Sequence, residues 1–417
     1  MGSLAFEGAA QGATYYTSRS GSDGNSCATA QSTSSPKATV NGGISCLSAG
    51  DTLLVRGGTY DEQIASVPSG TSWNSVVRIA AYPGETVWVK PTANRIGVTA
   101  VIWLDGNFSY VEFDGINADE TGLPTGLGEV IWFSTNNGNN PHHIRYKNAE
   151  IIAGAIGENA AVALGGHTRI NATGSFELQH LRVHGGGRTG AGCDYTCNSY
   201  GIYIAGPNNL VEDCEIYDNA SGGMQIYNSS GDSPDNNIVR RNYIHDQTRV
   251  GNPVQLWGII IAGNNNLIYN NVFSNIRNGA VGDGIAFYSG NNNQVYNNTI
   301  YNVAANGINV GSSSVSGAII RNNISYNSGT NYTNNGIGTI QDHNLIGTNP
   351  LFVNAGASDF HLQATSRAVD AGAAIAIVAT DMDGTTRPQG SAYDIGAYEF
   401  HGAAQLTPPT GLRIVPN

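Results

Sequence analysis

Two intervals of this chain gather the side chains that acid–base chemistry uses. Residues 184–200 contain His184, Arg188, Asp194 and Tyr195, and residues 245–257 contain His245, Asp246, Arg249, Gln255 and Trp257. A short turn between them carries Asp218 and Asn219. An imidazole titrating near neutrality can take a proton, a phenol can return one, and guanidinium groups can hold an anion meanwhile. On that logic His245 or His184 is the candidate base, Tyr203 or Tyr195 the candidate acid, and Arg249 with Arg188 the clamp. Asp218 would form the floor. Asp194, Asp218 and Asp246 would also offer a Ca2+ ion the oxygen ligands it takes. Taken singly, each is an ordinary solvated loop residue; only convergence makes a site.

A repeat supplies the means of convergence. Val211-Glu-Asp-Cys-Glu-Ile-Tyr-Asp-Asn219, Val239-Arg-Arg-Asn-Tyr-Ile-His-Asp246, Ile268-Tyr-Asn-Asn-Val-Phe-Ser-Asn275, Val295-Tyr-Asn-Asn-Thr-Ile-Tyr-Asn302 and Ile320-Arg-Asn-Asn-Ile-Ser-Tyr-Asn327 are variants of one phrase. Ile216, Ile244, Phe273, Ile300 and Ser325 share a column in it, at steps of 28, 29, 27 and 25 residues. A second phrase is interleaved: Gly201-Ile-Tyr-Ile204, Gly223-Met-Gln-Ile226, Gly258-Ile-Ile-Ile261, Gly284-Ile-Ala-Phe287 and Gly307-Ile-Asn-Val310. Short alternating segments bounded by Gly, Asn and Ser are strands, and no helical period is sustained. The spacing predicts an all-β solenoid, a parallel β-helix of about ten to twelve coils in which each coil covers the strand edges of the last. Recurrent Asn-Asn fits its turns, since Asn tolerates left-handed backbone and can bond the amides of neighbouring coils.

The repeat is also a ruler for its own interruptions. From the Asn-phrase column to the next Gly-led strand, the gaps run 19, 8, 15, 12 and 8 residues. Variation therefore gathers at one corner, where two long loops flank a minimal turn and leave a notch holding the residues above. Outward positions of the Gly-led strands are expected to line up as Trp103, Trp132, Ala163, Tyr203, Gln225, Ile260, Ala286 and Asn309. Trp103, Trp132 and Tyr203, with Tyr195, Gln225 and Trp257 nearby, would give a substrate flat platforms and hydrogen bonds. The competing expectation puts the two Trp under a loop as satellite core. Asp283 adds a carboxylate at that edge, a position equally suited to forming a turn. A third column, Glu112, Lys147, Glu212, Arg240, Tyr269, Tyr296 and Arg321, is expected to hold cross-strand ion pairs.

Composition sets the bounds. Of 417 residues 55 are Gly and only 12% are charged, with a formal net charge of −12. No Lys/Arg stripe is available to neutralise phosphates, so a nucleic-acid partner is not expected. No apolar run reaches membrane-spanning length. Five cysteines are present. Cys27 with Cys46, and Cys193 with Cys197, are expected as disulfides of an oxidising compartment, with Cys214 a buried thiol. A single domain is expected over 14–402, with an N-terminal cap to about residue 60, coils to about 345 and a capping block from 346. Residues 1–13 resemble a leader remnant and 403–417 a linker. A monomer is expected.

Ala49-Gly-Asp-Thr-Leu-Leu-Val-Arg-Gly-Gly-Thr-Tyr-Asp61 and Val77-Arg-Ile-Ala-Ala-Tyr-Pro-Gly-Glu85 resemble the opening coils of the pectate-lyase-like superfamily of secreted β-helix proteins. Asp381-Met-Asp-Gly-Thr-Thr-Arg-Pro-Gln-Gly390 and Asp394-Ile-Gly-Ala-Tyr-Glu-Phe400 resemble a C-terminal block common on such proteins. The resemblance spans nearly the whole chain and implies a right-handed helix and a secreted, polysaccharide-active enzyme. β-Elimination of a uronate polymer ranks first, with glycoside hydrolysis by paired carboxylates or a non-catalytic binding module as alternatives. The paired-Asp and Gly-His-Gly pattern of polygalacturonases is absent, as is the Arg motif of pectate lyases. No catalytic residue carries over from the superfamily.

Overall fold

The computed structural model describes residues 12–92, 100–123, 129–134, 139–154, 160–165, 174–187, 199–227, 234–247, 256–277 and 279–402. The repeat folds into a parallel β-helix whose coils have three sides. One side is a nine-stranded sheet running from Ile102–Asp105 to Thr330–Asn334 and containing every Gly-led strand. The other two sides come from the Asn phrase, which holds two strands where one was read. Leu210–Glu212 and Glu215–Tyr217 are an example, bent apart at Asp213-Cys214. We call these the second and third sides. They join into one 21-stranded array because His142–Ile152 and Phe176–His184 run through the corner without a break.

Register follows the sequence columns. Ile216, Ile244, Phe273, Ile300 and Ser325 pair in succession on the third side. Trp103, Trp132, Ala163, Tyr203, Gln225, Ile260, Ala286 and Asn309 pair in succession on the nine-stranded sheet. The charged column needs one correction. Lys147 pairs with Asp114 and Gln179, and Gln179 with Glu212, so Lys147 keeps its place; Glu112 stands opposite Arg145, two residues off the column. The ion pairs themselves are present, for example Arg240 Nη2 to Glu212 Oε2 at 2.6 Å and Lys147 Nζ to Glu112 Oε1 at 3.1 Å.

The two residues of each Asn-Asn pair have separate duties. The first takes left-handed backbone at the corner between second and third sides, as Asn270, Asn297 and Asn322 do with φ of 53°, 49° and 59°. The second is fully buried and bonds along the axis. Asn242 N donates to Asn271 Oδ1 (3.0 Å), Asn271 N to Asn298 Oδ1 (3.0 Å) and Asn298 N to Asn323 Oδ1 (2.9 Å). Their amide nitrogens satisfy carbonyls in turn, Asn271 Nδ2 reaching Val239 O at 2.9 Å and Tyr269 O at 3.1 Å. A parallel ladder, Asn209, Asn237, Asn266 and Asn293, secures the corner after the nine-stranded sheet.

At the N-terminal end the helix Val40–Ile44 covers the first coil, its leading amides Val40 N and Asn41 N donating to the Glu62 carboxylate at 2.7 and 2.9 Å. The Cys27–Cys46 disulfide ties this cap, and Cys214 is buried with its thiol pKa pushed up to about 12 by desolvation. Cys193 and Cys197 lie outside the described residues, as do residues 1–11 and 403–417 of the expected leader and linker.

The block after the coils does not close their end as expected; it lies along their flank. Asn270 Nδ2 donates to Thr380 O, Asn297 Nδ2 to Asp394 O and Asn322 Nδ2 to Ala373 O, so the outward amides of the left-handed column hold the block's backbone. Phe352, Phe360, Leu362 and Ile395 pack against Val272 and Ile324. Inside the block the Arg387–Glu399 pair is fully buried, and Arg387 also donates to Asn270 Oδ1 at 3.1 Å. A polar cap would have left those amides and apolar positions exposed.

Asn271→Ala removes the acceptor of Asn242 N and the Nδ2 group that donates to two carbonyls in one step. It is expected to cost about 3 kcal/mol, from buried groups left unpaired. Asn335→Ala, exposed past the last sheet strand, should change little. Calorimetric melting of both variants checks this; equal small effects would contradict the ladder's role.

Candidate functional site

On the outer face of the nine-stranded sheet, aromatic side chains of several coils lie against one another. Trp103 and Trp132 stack with centroids 6.0 Å apart and planes 16° from parallel, and both are half-buried. Trp132 Nε1 donates to Gly165 O at 3.0 Å, while the buried indole N–H of Trp103 meets no acceptor among the described residues. Two coils further on, Tyr200 and Trp257 stack at 6.2 Å and 18°. They stand on either side of Gly222 in the register, and its lack of a side chain lets the rings close over it. Tyr203 packs with Tyr200, Ala160 and Ala205, and Tyr227 and Trp257 lean on this group. Tyr227 meets Tyr288 edge-on at 5.5 Å, and Tyr288 is 56% exposed. Burial raises the phenol pKa of Tyr200 and Tyr203, which keeps both neutral hydrogen-bonding groups.

His184 and His245 are elsewhere. Each is the last residue of a third-side strand, and they stack on Tyr217 from both sides, with centroids 4.6 and 5.3 Å away. His184 Nε2 lies 3.0 Å from Glu150 Oε1, and His245 lies 3.3 Å from Glu215 Oε1 and 2.7 Å from Asp246 Oδ2. Burial works against the charged form of His245, but the hydrogen bonds to Asp246 and Glu215 outweigh it and its pKa stands above the usual value. Arg182 bridges the two carboxylates, 3.3 Å from Glu150 and 3.0 Å from Glu215. Both ring nitrogens of His245 thus face carboxylates, Nδ1 that of Asp246 and Nε2 that of Glu215. The described geometry makes this column a cross-strand brace of the third side.

The remaining candidates divide. Trp103, Trp132, Tyr203 and Gln225 share the aromatic face by register, and Trp257 joins it through its contacts with Tyr200 and Tyr203. Asp283 is committed to the fold: Oδ1 accepts from Asn306 N and Nδ2, both at 2.9 Å, and Oδ2 from Asn309 Nδ2 at 2.9 Å. Asp218 and Asp246 occupy left-handed turns at the corner leading to the face, with φ of 58° and 48°. Arg188, Asp194, Tyr195 and Arg249 lie outside the described residues. The Ca2+ set therefore reduces to Asp218 and an Asp246 engaged by His245. No group of three His, Cys, Asp or Glu among the described residues could hold a metal ion.

Sequence reading missed Glu120 and Glu129, at the same corner one stretch nearer the N-terminus. Both are buried, at 4% and 5% exposure. Glu120 accepts a short hydrogen bond from Gly154 N. Burial first, and then the charge of Glu120, push the Glu129 carboxyl up to about 7. The signal lay in the loop arithmetic: the interval 119–129 is another long gap before a sheet strand, and it was read only as a cover for tryptophans.

Residues 169–379, about half of the chain, match the family described as "Right handed beta helix region". No curated protein matches the chain by sequence. Among solved structures, the fold aligns with pectate lyase Pel9A at 15% identity and a TM-score of 0.59, covering 93% of this chain and 96% of that one. It also aligns with a rhamnogalacturonan lyase at 13% identity and a TM-score of 0.50, covering 82% and 91%. Identities this low speak for fold alone. With three-sided parallel coils and a family match over half its residues, the chain belongs to the right-handed β-helix family.

Proposed function

We propose that this protein is a secreted, monomeric polysaccharide-active enzyme that lays a glycan chain along the outer face of its nine-stranded sheet. The observation that carries the reading is the run of rings on that face, from the Trp103–Trp132 stack to the Tyr200–Trp257 pair. Flat apolar rings with polar rims suit sugars, which present C–H faces and hydroxyl edges. Solved structures sharing the fold include enzymes named as a pectate lyase and a rhamnogalacturonan lyase, which supports the reading by fold-level analogy. The Cys27–Cys46 disulfide suits an extracellular setting, and no described helix is long and apolar enough to cross a membrane.

Two cleavage chemistries fit such a binder. β-Elimination of a uronate needs a base at the ring C5 proton and stabilisation of the charge that develops on the carboxyl group. In that reading His184 or His245 is the base, and Arg188 with Arg249 the clamp. Hydrolysis is favoured by one specific observation, the buried Glu129 beside Glu120. A carboxylic acid held protonated near neutral pH next to a second carboxylate is the arrangement a glycosidic leaving group requires. Unsaturated-product absorbance reports the first chemistry; new reducing ends without that absorbance report the second.

Trp132→Ala and Trp257→Ala should each weaken binding of a retained polysaccharide by roughly tenfold, as read by affinity electrophoresis. Unchanged mobility in both would sink the placement of the glycan on this face. Glu129 gives a separate test in pH. Its folded pKa of about 7 exceeds the ordinary value of 4.5, so its contribution favours the fold below about pH 4.5 and is lost as pH rises toward 7. Glu129→Gln should remove that part of the decline in melting temperature, and a decline identical to the wild type would contradict the assignment.

A further inference from the structure

We infer that the glycan taken by this face is uncharged, a polymer of neutral sugars or of fully esterified uronates, and not a polyanion. The inference rests on the placement proposed above and adds to it the charge of the ligand.

Its basis is a segregation of charge among the three sides. The nine strands of the aromatic side contain no Lys, Arg, His or Glu. Their two carboxylates are both engaged by amides. Asn139 Nδ2 donates to Asp105 Oδ1 at 3.0 Å, and Asn306 and Asn309 hold Asp283. The other two sides are dense with ions: Arg78, Glu112, Arg145 and Glu177 form one connected network, and Glu212 with Arg240 continues it along the axis. Charge is therefore not scarce on these coils. It is kept off one side.

A free polyuronate would bring a carboxylate with every sugar onto that side, in a chain whose net charge is already −12. Stripping water from each against tryptophan and tyrosine, with no cation among the described residues of the floor, leaves a desolvated charge unpaired. An uncharged glycan meets what the face does offer, rings and the polar groups of Gln225 and Thr333 in the same outward column. Either proposed chemistry is compatible. An ester is a better acceptor of the electron pair in β-elimination than a carboxylate and needs no clamp to neutralise it, and hydrolysis is indifferent to C6.

Matched polymers test this. Fully methyl-esterified galacturonan is compared with the same polymer after saponification, and a neutral β-glucan with its C6-oxidised form, by calorimetric titration of the full chain. In any pair that binds, the uncharged member should bind at least roughly tenfold tighter, and its affinity should vary less than about twofold between low and high salt. Equal or tighter binding of the polyanion, weakening with salt, would overturn the inference. The reading it rests on fails separately: Trp132→Ala would then leave binding of the uncharged member unchanged, whereas Trp132→Phe, which keeps a ring, should retain most of it. Failure of every polymer to bind overturns both.

Discussion

From Leu210 onward the coils of this protein turn sharply between their second and third sides, and the turn points backbone groups inward where no strand can meet them. A buried amide side chain resolves the conflict, because its oxygen accepts from the coil before and its nitrogen serves carbonyls of the coils around it. Asn242, Asn271, Asn298 and Asn323 do this in succession, all at 0% exposure. Without them these coils would bury unpaired N–H and C=O groups, each costing about 1–3 kcal/mol. The preceding Asn adopts the left-handed backbone that lets the chain turn, and its outward amide then grips the C-terminal block. One dipeptide thus sets the corner, the stacking and the docking of the flank.

Stacking at one strand spacing, about 4.8 Å, puts equivalent residues of successive coils into straight outward columns. Each column can be given its own chemistry without disturbing the core. Two sides carry alternating ions that neutralise one another, as in the run Glu150, Arg182, Glu215. The nine-stranded side carries rings, amides and small residues. Function in such a molecule is a choice of column contents, and the aromatic side is the one that keeps rings open to solvent, Tyr288 being over half exposed.

The columns themselves were legible in the sequence, because a period-2 alternation repeated at a near-constant step leaves no other register for Ile216, Ile244 and Phe273, or for Trp103, Trp132 and Tyr203. The early charged positions were not. There the strands His142–Ile152 and Phe176–His184 pass through a corner that later coils break, so no Asn-Asn marks the frame. His184 and His245 were attractive as loop residues, yet they end strands, and their partners Glu150 and Glu215 come from neighbouring coils about 30 residues away. Charge pairing across coils is invisible to local reading. The same holds for Glu120 and Glu129, whose shared burial depends on how two corners stack.

The central claim is that a glycan lies on the nine-stranded side, ring upon ring. A crystal of the protein soaked with an oligosaccharide of a polymer it binds tests this most directly. Sugar density along the face of Trp132, Tyr203 and Trp257 is the result predicted. Density confined to the His184–Tyr217–His245 column on the third side would contradict it.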